Sequence, residues 1–462
     1  MTEKTNGHSN GNGNGNGNGN GNNGNGQKNS LPSDFVPKKF LFISDVGCVG
    51  DLAWRVKLEG HQVHYLIQSR KERNVADGFV DKGEELEKEV EWADIIVFDD
   101  IGFGSLAEKL RKEGKAVVGG TPLSDKLEFD RDYAQEELRN ADINTLPCWD
   151  FSSFDEAIKF VKSNPARYVI KPNGKAQNDK VLSFVGEEED GLDLVNMLER
   201  YKLGWGGKIR RFQLQKFVSG VEVAIGAFFN GKEFFLPACI NFEHKRMFND
   251  EIGPTTGEMG TSMFWSGPNR LYNETLNKFE KRLGEMGFIG YFDINCIVNA
   301  RGIFPLEITP RFGYPTISIQ MEGIISRWSD LLDALAHKQP FSLKTQKGFQ
   351  VGVVVAVPPY PYEDPDTFEK LSDDAVIMFK KPINGGVHLG DVRLVDGDWR
   401  MAGSSGYALV VTGSGPTMPD AQRETYNRLK NIILPNMFYR TDIGNRWVKD
   451  GDLLHTWGML AA

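Results

Sequence analysis

The sequence predicts an α/β domain followed by α+β layers, and three observations carry that prediction. Over residues 39–118, short apolar runs alternate with stretches at helical spacing, the pattern of βαβ units and a parallel sheet. From about Leu146 the alternation gives way to paired strands, among them 221–229 and 233–240 about the Asn230-Gly231 turn. From Gly348 the chain is rich in strands and turn signals (Asn384-Gly385-Gly386, Asp396-Gly397) and ends with a helix around 420–432.

Taken in order, residues 39–44 (KFLFIS) read as a buried strand and 47–50 as a turn, and 51–59 (DLAWRVKLE) have helical spacing stopped by Gly60. Residues 62–67, 94–98 (DIIVF) and 116–118 are further strands, with helices over 83–92 and 106–113 between them. Residues 154–163 form a helix, 167–171 (RYVIK) and 181–185 strands, and 212–217 a strand that leads through Ser219-Gly220 into 221–229. A helix over 274–286 precedes the strand pair 291–298 and 303–309. Residues 6–26 almost wholly alternate Asn and Gly, with nothing apolar to bury, so the leader 1–36 is expected to be disordered. The domains expected after it are 37–141, 142–218, 219–345 and 346–462.

The 462 residues suffice for several domains at roughly 100–200 residues each. With 54 Lys+Arg against 63 Asp+Glu the formal charge is −9, which argues against a nucleic-acid scaffold. No apolar run approaches the ~20 residues of a membrane span, and no secretory signal is evident. Cys48, Cys148, Cys239 and Cys296 lie far apart without zinc spacing, as free thiols in a reducing cytoplasm would.

Five segments carry chemistry. Gly47-Cys48-Val49-Gly50 stands between a strand and a helix, where a glycine turn either holds a phosphate on backbone N–H groups or simply reverses the chain. Lys126 near a helix start and Lys171 at a strand end are placed to neutralise a triphosphate, though surface lysines are common. Residues 215–222 (QKFVSGVE) form a strand exit whose backbone could read an adenine edge, with Glu222 placed for ribose hydroxyls. Asp293 and Glu307 sit in apolar strands and fall nearly opposite across the turn 299–302, with Thr309 on the face of Glu307. Carboxylates so placed are costly unless paired or metal-bound, and magnesium held by one or two carboxylates plus phosphates fits; the alternative is a pair of buried salt bridges, with Arg311 as a partner. Last, residues 243–246 (EHKR) precede 253–260 (GPTTGEMG), cations beside a glycine-rich loop that suit phosphoryl transfer.

In this order, and over residues 38–447, these segments resemble ATP-grasp ligases, and within them the phosphoribosylamine–glycine ligase family. EHKR with GPTTGEMG is similar to that family's DHKR…GPNTGGMG, residues 311–315 (RFGYP) to its RFGDP, and 437–444 (MFYRTDIG), with Arg446, to its ending. The resemblance implies an ATP-grasp fold with an N-terminal Rossmann-like α/β domain and a C-terminal strand-rich lid domain. It implies a cytoplasmic enzyme of purine biosynthesis, monomer or homodimer, that uses ATP and Mg²⁺ (or Mn²⁺) to join glycine to phosphoribosylamine through an acyl phosphate. Lys126, Lys171, Gln215, Phe217, Val218 and Glu222 would then bind ATP, and Asp293, Glu307 and Thr309 the metal. Lys245, Arg246 and Arg311 would be catalytic, with Gly47, Gly50, His244, Gly257, Glu258, Met259 and Gly260 on the substrate side.

The departures cluster around the substrates. The family's GGREHA is replaced by Gly47-Cys48-Val49-Gly50-Asp51-Leu52-Ala53, which loses Arg and His and gains Asp51. Its KADGLAAGKGV loop is replaced by 171–181 (KPNGKAQNDKV), its EFN by Glu307-Ile308-Thr309, and the second Gly of GGMG by Glu258. A paralogue joining a different amino acid and amine is therefore the alternative. A non-catalytic nucleotide-binding subunit is a remoter one, opposed by the retention of Lys171, Glu222, Asp293 and Glu307.

Overall fold

The computed structural model describes residues 35–172, 184–205 and 211–461; the Asn/Gly tract and most of the 171–181 loop lie outside them. Its first layer is a parallel sheet in the order β3-β2-β1-β4-β5. The strands are β1 (Lys39–Ser44), β2 (Gln62–Ile67), β3 (Asp81–Lys82), β4 (Ile95–Phe98) and β5 (Ala116–Val118). Between them run α1 (Gly50–Leu58), α2 (Leu86–Trp92) and α3 (Gly104–Lys112). Leu41, Ile43, Ile96 and Phe98 face Ala107 and Leu110 of α3, while Phe40, Phe42, Ile95 and Val97 face Leu52 and Val56 of α1. The central strands are thus buried on both faces, the reason a parallel sheet reads as continuous apolar runs.

Two capped helices follow, α4 (Pro122–Phe129) and α5 (Arg131–Asn140), the second started by Asp130, whose side chain accepts from the Tyr133 N–H. A small sheet in the order β6-β9-β7-β8 comes next, built from β6 (Cys148–Phe151), β7 (Tyr168–Pro172), β8 (Phe184–Val185) and β9 (Phe212–Lys216). Helices α6 (Phe154–Ser163) and α7 (Leu192–Trp205) cover its apolar face through Tyr168, Ile170, Phe212 and Leu214. Lys171, Gln213 and Gln215 alternate onto the other face.

The centre of the molecule is an eight-stranded sheet, β16-β15-β10-β11-β14-β17-β22-β19. It is formed by β10 (Val221–Phe229), β11 (Phe234–Glu243), β14 (Gly260–Ser266), β15 (Gly290–Asn299), β16 (Gly302–Thr309), β17 (Phe349–Ala356), β19 (Val387–Leu389) and β22 (Tyr407–Gly415). A small ribbon, β12 (Arg246–Phe248) with β13 (Ile252–Thr255), projects from it. Helices α8 (Arg270–Glu274), α9 (Leu276–Met286), α10 (Thr316–Gly323) and α11 (Trp328–Ala336) belong to this layer, and Trp328, Leu331 and Leu335 also join the core beneath the first sheet. The end of the chain adds α12 (Pro365–Leu371), α13 (Met418–Leu429), α14 (Trp447–Thr456) and a sheet β20-β21-β18-β23, formed by β18 (Val376–Phe379), β20 (Val392–Val395), β21 (Asp398–Met401) and β23 (Ile432–Ile433). The C-terminal part is strand-rich as predicted, but β17 and β22 continue the central sheet across the boundary expected at 345/346. No helix among the described residues is long and apolar enough to cross a membrane, and all four cysteines are free thiols.

Four local expectations need correction. The helix expected over 83–92 begins at Leu86, because 81–82 pair with β2 as an edge strand. The helix expected over 274–286 is two helices broken at Thr275, whose backbone is not helical. The chain does not close on α13, since α14 follows and packs Trp447 against Phe242, Phe264 and Phe349. A bulge at Asn295/Cys296 shifts the hairpin register, so Glu307 lies opposite Asn295 and Asp293 opposite Thr309.

Candidate active site

The central sheet has two unlike faces, and strand alternation explains both. In register across it, Ile308, Ile294, Ile225, Ile240, Phe264 and Phe349 form one apolar row, part of the core with α9. One residue along, Glu307, Asn295, Ala224, Asn241, Met263, Gln350 and Ser414 form a mostly polar row on the opposite face. Glu222 and Glu243 lie on that same face, two positions along β10 and β11. A β-sheet interior tolerates such a row only where it floors a site or is internally hydrogen-bonded.

Lys245 sits at the heart of this floor. Its Nζ is 2.8 Å from Glu307, 3.0 Å from Glu243 and 3.3 Å from Glu222. Asn295 Nδ2 donates to Glu243 at 2.9 Å and to Glu222 at 3.3 Å. Burial opposes the charge on Lys245, but the three carboxylates outweigh it and hold the ammonium well above its ordinary range. Lys245 in turn, with Arg131 and Lys171 behind it, holds the Glu307 carboxyl far below its own. Lys171, half-buried at the end of β7, is lowered to about 7, first by burial and then by Arg131 and Lys245, against the pull of Glu307 and Glu222. Three cations thus converge from α5, β7 and the segment after β11 on one carboxylate-lined floor, an arrangement suited to a polyanion with a divalent cation.

Arg131 escaped the sequence reading. The available signal was Asp130, a capping residue that starts α5 and sets Arg131 at the first helical position. Lys126, singled out instead, stands on the exposed side of α4, 3.6 Å from Asp130 and 4.3 Å above the Tyr133 ring. Glu243 was read only as part of the EHKR segment and given no role, and Asn295 and Glu128 were missed; these two are visible only once the register and helix packing are known.

The remaining residues fall into distinct places. Gln215 is buried on the polar face of the small sheet, opposite Val169. Phe217 lies under the Arg167 guanidinium at 3.7 Å, with its N–H donating to the Arg167 carbonyl, and Val218 follows it into β10. Asp293 is buried, accepts from Asn241 Nδ2 at 3.1 Å and Tyr291 Oη at 3.3 Å, and is pushed up to about 7 by burial and by Glu243. Thr309 is half-buried beside it. Arg246 is exposed and donates to the Gly253 carbonyl at 2.9 Å, away from Lys245. His244 is buried between Glu251 and Gly444: Nδ1 lies 2.9 Å from the Glu251 carboxylate and Nε2 accepts the Gly444 N–H at 3.3 Å, which ties the site to the C-terminal segment. Thr256 and Met259 bond the carbonyls of Lys245 and His244, so the loop carrying Gly257, Glu258 and Gly260 is pinned to the floor.

Arg311 leaves the floor for the first domain, 2.8 Å from Glu128 and 3.0 Å from Asp100. Tyr314 donates to the Asp99 carbonyl at 2.8 Å. Gly47 has φ +91°, and a Cβ on Gly50 would stand 2.8 Å from Ala76, so both glycines let the β1–α1 turn pack on Val75 and Ala76.

Comparison with known proteins agrees with this architecture. Residues 129–315 match the family model of the phosphoribosylglycinamide synthetase ATP-grasp (A) domain. The phosphoribosylamine–glycine ligase of Streptococcus suis is 26% identical over 373 residues, covering 79% of this chain and 86% of that protein. That of Listeria monocytogenes serovar 1/2a is 28% identical over 372 residues, with 78% and 86% covered. Among solved structures, the phosphoribosylamine–glycine ligase of Thermotoga maritima superposes with a TM-score of 0.66 at 22% identity, over 88% of this chain and 100% of that one. Biotin carboxylase of Campylobacter jejuni, a β,γ-ATP complex, gives 0.60 at 13% identity, over 91% and 97%. The expected fold class is therefore met: residues 129–315 are an ATP-grasp domain of the phosphoribosylglycinamide synthetase type, and the chain is an ATP-grasp protein related to the phosphoribosylamine–glycine ligases.

Proposed function

We propose that the chain is an ATP-dependent ligase that joins a carboxylate to an amine. The observation that carries this reading is Lys245 among Glu222, Glu243 and Glu307, with Lys171 and Arg131 closing over the same floor. ATP fits with its phosphates against Lys171 and Arg131, its ribose at Glu222, and its base at Gln215 and the Phe217–Val218 backbone.

The residues present also fit Mg²⁺ or Mn²⁺. Asn295 Oδ1 is buried without a hydrogen-bond partner directly opposite Glu307, so an amide oxygen and a carboxylate face one another across the hairpin. Among the described residues no group of three His, Cys, Asp or Glu could hold a metal unaided. That suits an ion bound by one or two protein oxygens plus substrate phosphates, which supplies charge neutralisation when bound. Asp293 and Thr309, one register step away, are candidates to support it.

The chemistry proceeds in two balanced steps. A carboxylate oxygen attacks the γ-phosphorus while the bond to the β-phosphate oxygen breaks, giving an acyl phosphate and ADP. Lys171, Arg131 and Lys245 offset the charge that spreads over the transferring group. The amine nitrogen then attacks the acyl carbon, the C–O bond to phosphate breaks, and an amide, phosphate and a proton are released. Lobe closure would shield the acyl phosphate from water.

Glycine and phosphoribosylamine are the first substrates to test, with ADP release followed as each is omitted. Hydroxylamine added to MgATP and an amino acid traps the acyl phosphate as a hydroxamate without requiring the natural amine. Hydroxamate formation that disappears in Lys171→Met supports the ligase; none with any amino acid would sink it. A different amine from the relatives' is the second reading, favoured by the packing of the Gly47–Gly50 turn.

A further inference from the structure

We infer that the amine accepted by this ligase carries no phosphate group; the inference rests on the ligase reading above. In an open parallel sheet, ligands bind beyond the carboxyl ends of the strands where the strand order reverses. Here that place lies between β1 and β4. It is bordered by Ser44 and the Gly47-Cys48 turn on one side and by Asp99 and Asp100 on the other. Arg311 and Tyr314 connect it to the catalytic floor, and Cys48 feels the charges of Asp99, Asp100 and Asp391.

A phosphate is recognised by open backbone N–H groups at a helix start or by available cations. Two of the N–H groups at this turn are already used: that of Gly47 donates to Ser44 Oγ at 2.7 Å, and that of Val49 to Tyr65 Oη at 3.2 Å. The first turn of α1 carries a carboxylate of its own, Asp51, held by His388 Nδ1 at 2.7 Å and the Leu389 N–H at 3.1 Å. Arg311, which reaches the crevice, is already shared between Glu128 and Asp100.

A second, independent feature marks the crevice as a site. Asp99 is fully buried, and neither carboxyl oxygen has a donor in good hydrogen-bonding geometry. Burial holds its carboxyl well above the usual range, only partly offset by the neighbouring Ser44 hydroxyl. Such a group rewards a polar partner brought against it, an ammonium or a hydroxyl, that would relieve its burial without hydrogen bonds. The crevice thus suits a cationic or hydroxyl-bearing amine, because the carboxyls of Asp99, Asp100 and Asp391 border it and Arg311, which reaches it, is already paired.

The test compares two amines that differ only by the phosphate: ribosylamine from ribose and ammonia, and phosphoribosylamine from ribose 5-phosphate and ammonia. Both are added to the unmodified protein with MgATP, an amino acid that gives hydroxamate, and hydroxylamine as competing acceptor. The expected result is that phosphoribosylamine is at least about tenfold weaker than ribosylamine, whether as a substrate or as an inhibitor of hydroxamate formation, or has no effect in the millimolar range. Phosphoribosylamine acting at equal or lower concentration overturns the inference but leaves the ligase intact, whereas absence of any hydroxamate overturns both. Asp99→Asn should raise the KM for the accepted amine about tenfold while leaving the MgATP-induced rise in Tm unchanged. An unchanged KM counts against the role of Asp99.

Discussion

The two ends of the cleft are built by different means. At the end proposed to hold the nucleotide, Glu222, Glu243, Asn295 and Glu307 project from four adjacent strands of one sheet, and Lys245 answers the carboxylates within 3.3 Å. At the other end, Cys48, Asp99 and Asp100 come from the loops that leave β1 and β4; Tyr314 bonds the Asp99 carbonyl, and Asp100 shares Arg311 with Glu128. Side chains on a sheet face are held by the register of their neighbours, so the nucleotide end is rigid and hard to alter piecemeal. Loop residues at strand ends change without disturbing the sheet, and on the proposed function that end is where substrate choice would diverge.

The largest effect expected is at the nucleotide end. Glu307→Gln should lower ADP release by about 10²–10³-fold, because the floor loses its charged oxygen facing Asn295, with Tm nearly unchanged. Full turnover in that variant would erase the contrast between the two ends. Next, Arg131→Met should raise the KM for ATP by about tenfold, while Lys126→Met on the exposed face changes it less than about twofold. Equal effects from both would put the triphosphate elsewhere. Gly226→Ala tests the rigidity of the floor: its Cβ would clash with Tyr291 Oη and stand 2.6 Å from Asp293, and overpacking of this kind costs about 1–3 kcal/mol by denaturant unfolding.

The acidic end should show in the pH dependence of stability. Burial pushes Asp391 up to about 7 from an ordinary 3.8, so the folded state binds its proton more tightly than the unfolded chain. The stability this provides is complete below the ordinary value and is lost as pH rises through about 7. Asp391→Asn should therefore gain most Tm relative to the parent at about pH 8, less at about pH 5 and none below about pH 4. The smallest effect concerns Glu251, where burial is outweighed by hydrogen bonds from His244 and Arg440, lowering its carboxyl to about 2 from 4.5. Its contribution is present above 4.5 and is lost as pH falls through about 2. With the side chain 49% exposed, Glu251→Gln should cost only about 1 kcal/mol near neutral pH, measured by urea unfolding.

Much of this was legible in the sequence because it depends on local pattern. Apolar runs and their spacing predicted β1, β2, β5, α6 and β10 at or within a residue of their observed bounds, since burial on a strand or helix face has a fixed period. Motifs picked out Lys171, Glu222, Lys245 and Glu307, and the structure brings these four together. Other features depended on contacts between distant segments. A single bulge decided that Asn295, rather than Asp293, faces Glu307, and no spacing in the sequence announces an extra residue in a ladder. Helix packing decided that Arg131 reaches the floor and Lys126 does not. The strands after Gly348 carried no sign of whether they stood apart; the unpaired edge of β14 decided that, by taking up β17. The sequence by itself determined which groups this protein has for binding phosphates and carboxylates. Which of them share one floor, and which charges are already answered, was decided only by the tertiary structure, because electrostatic partnership depends on distance and burial rather than on order along the chain.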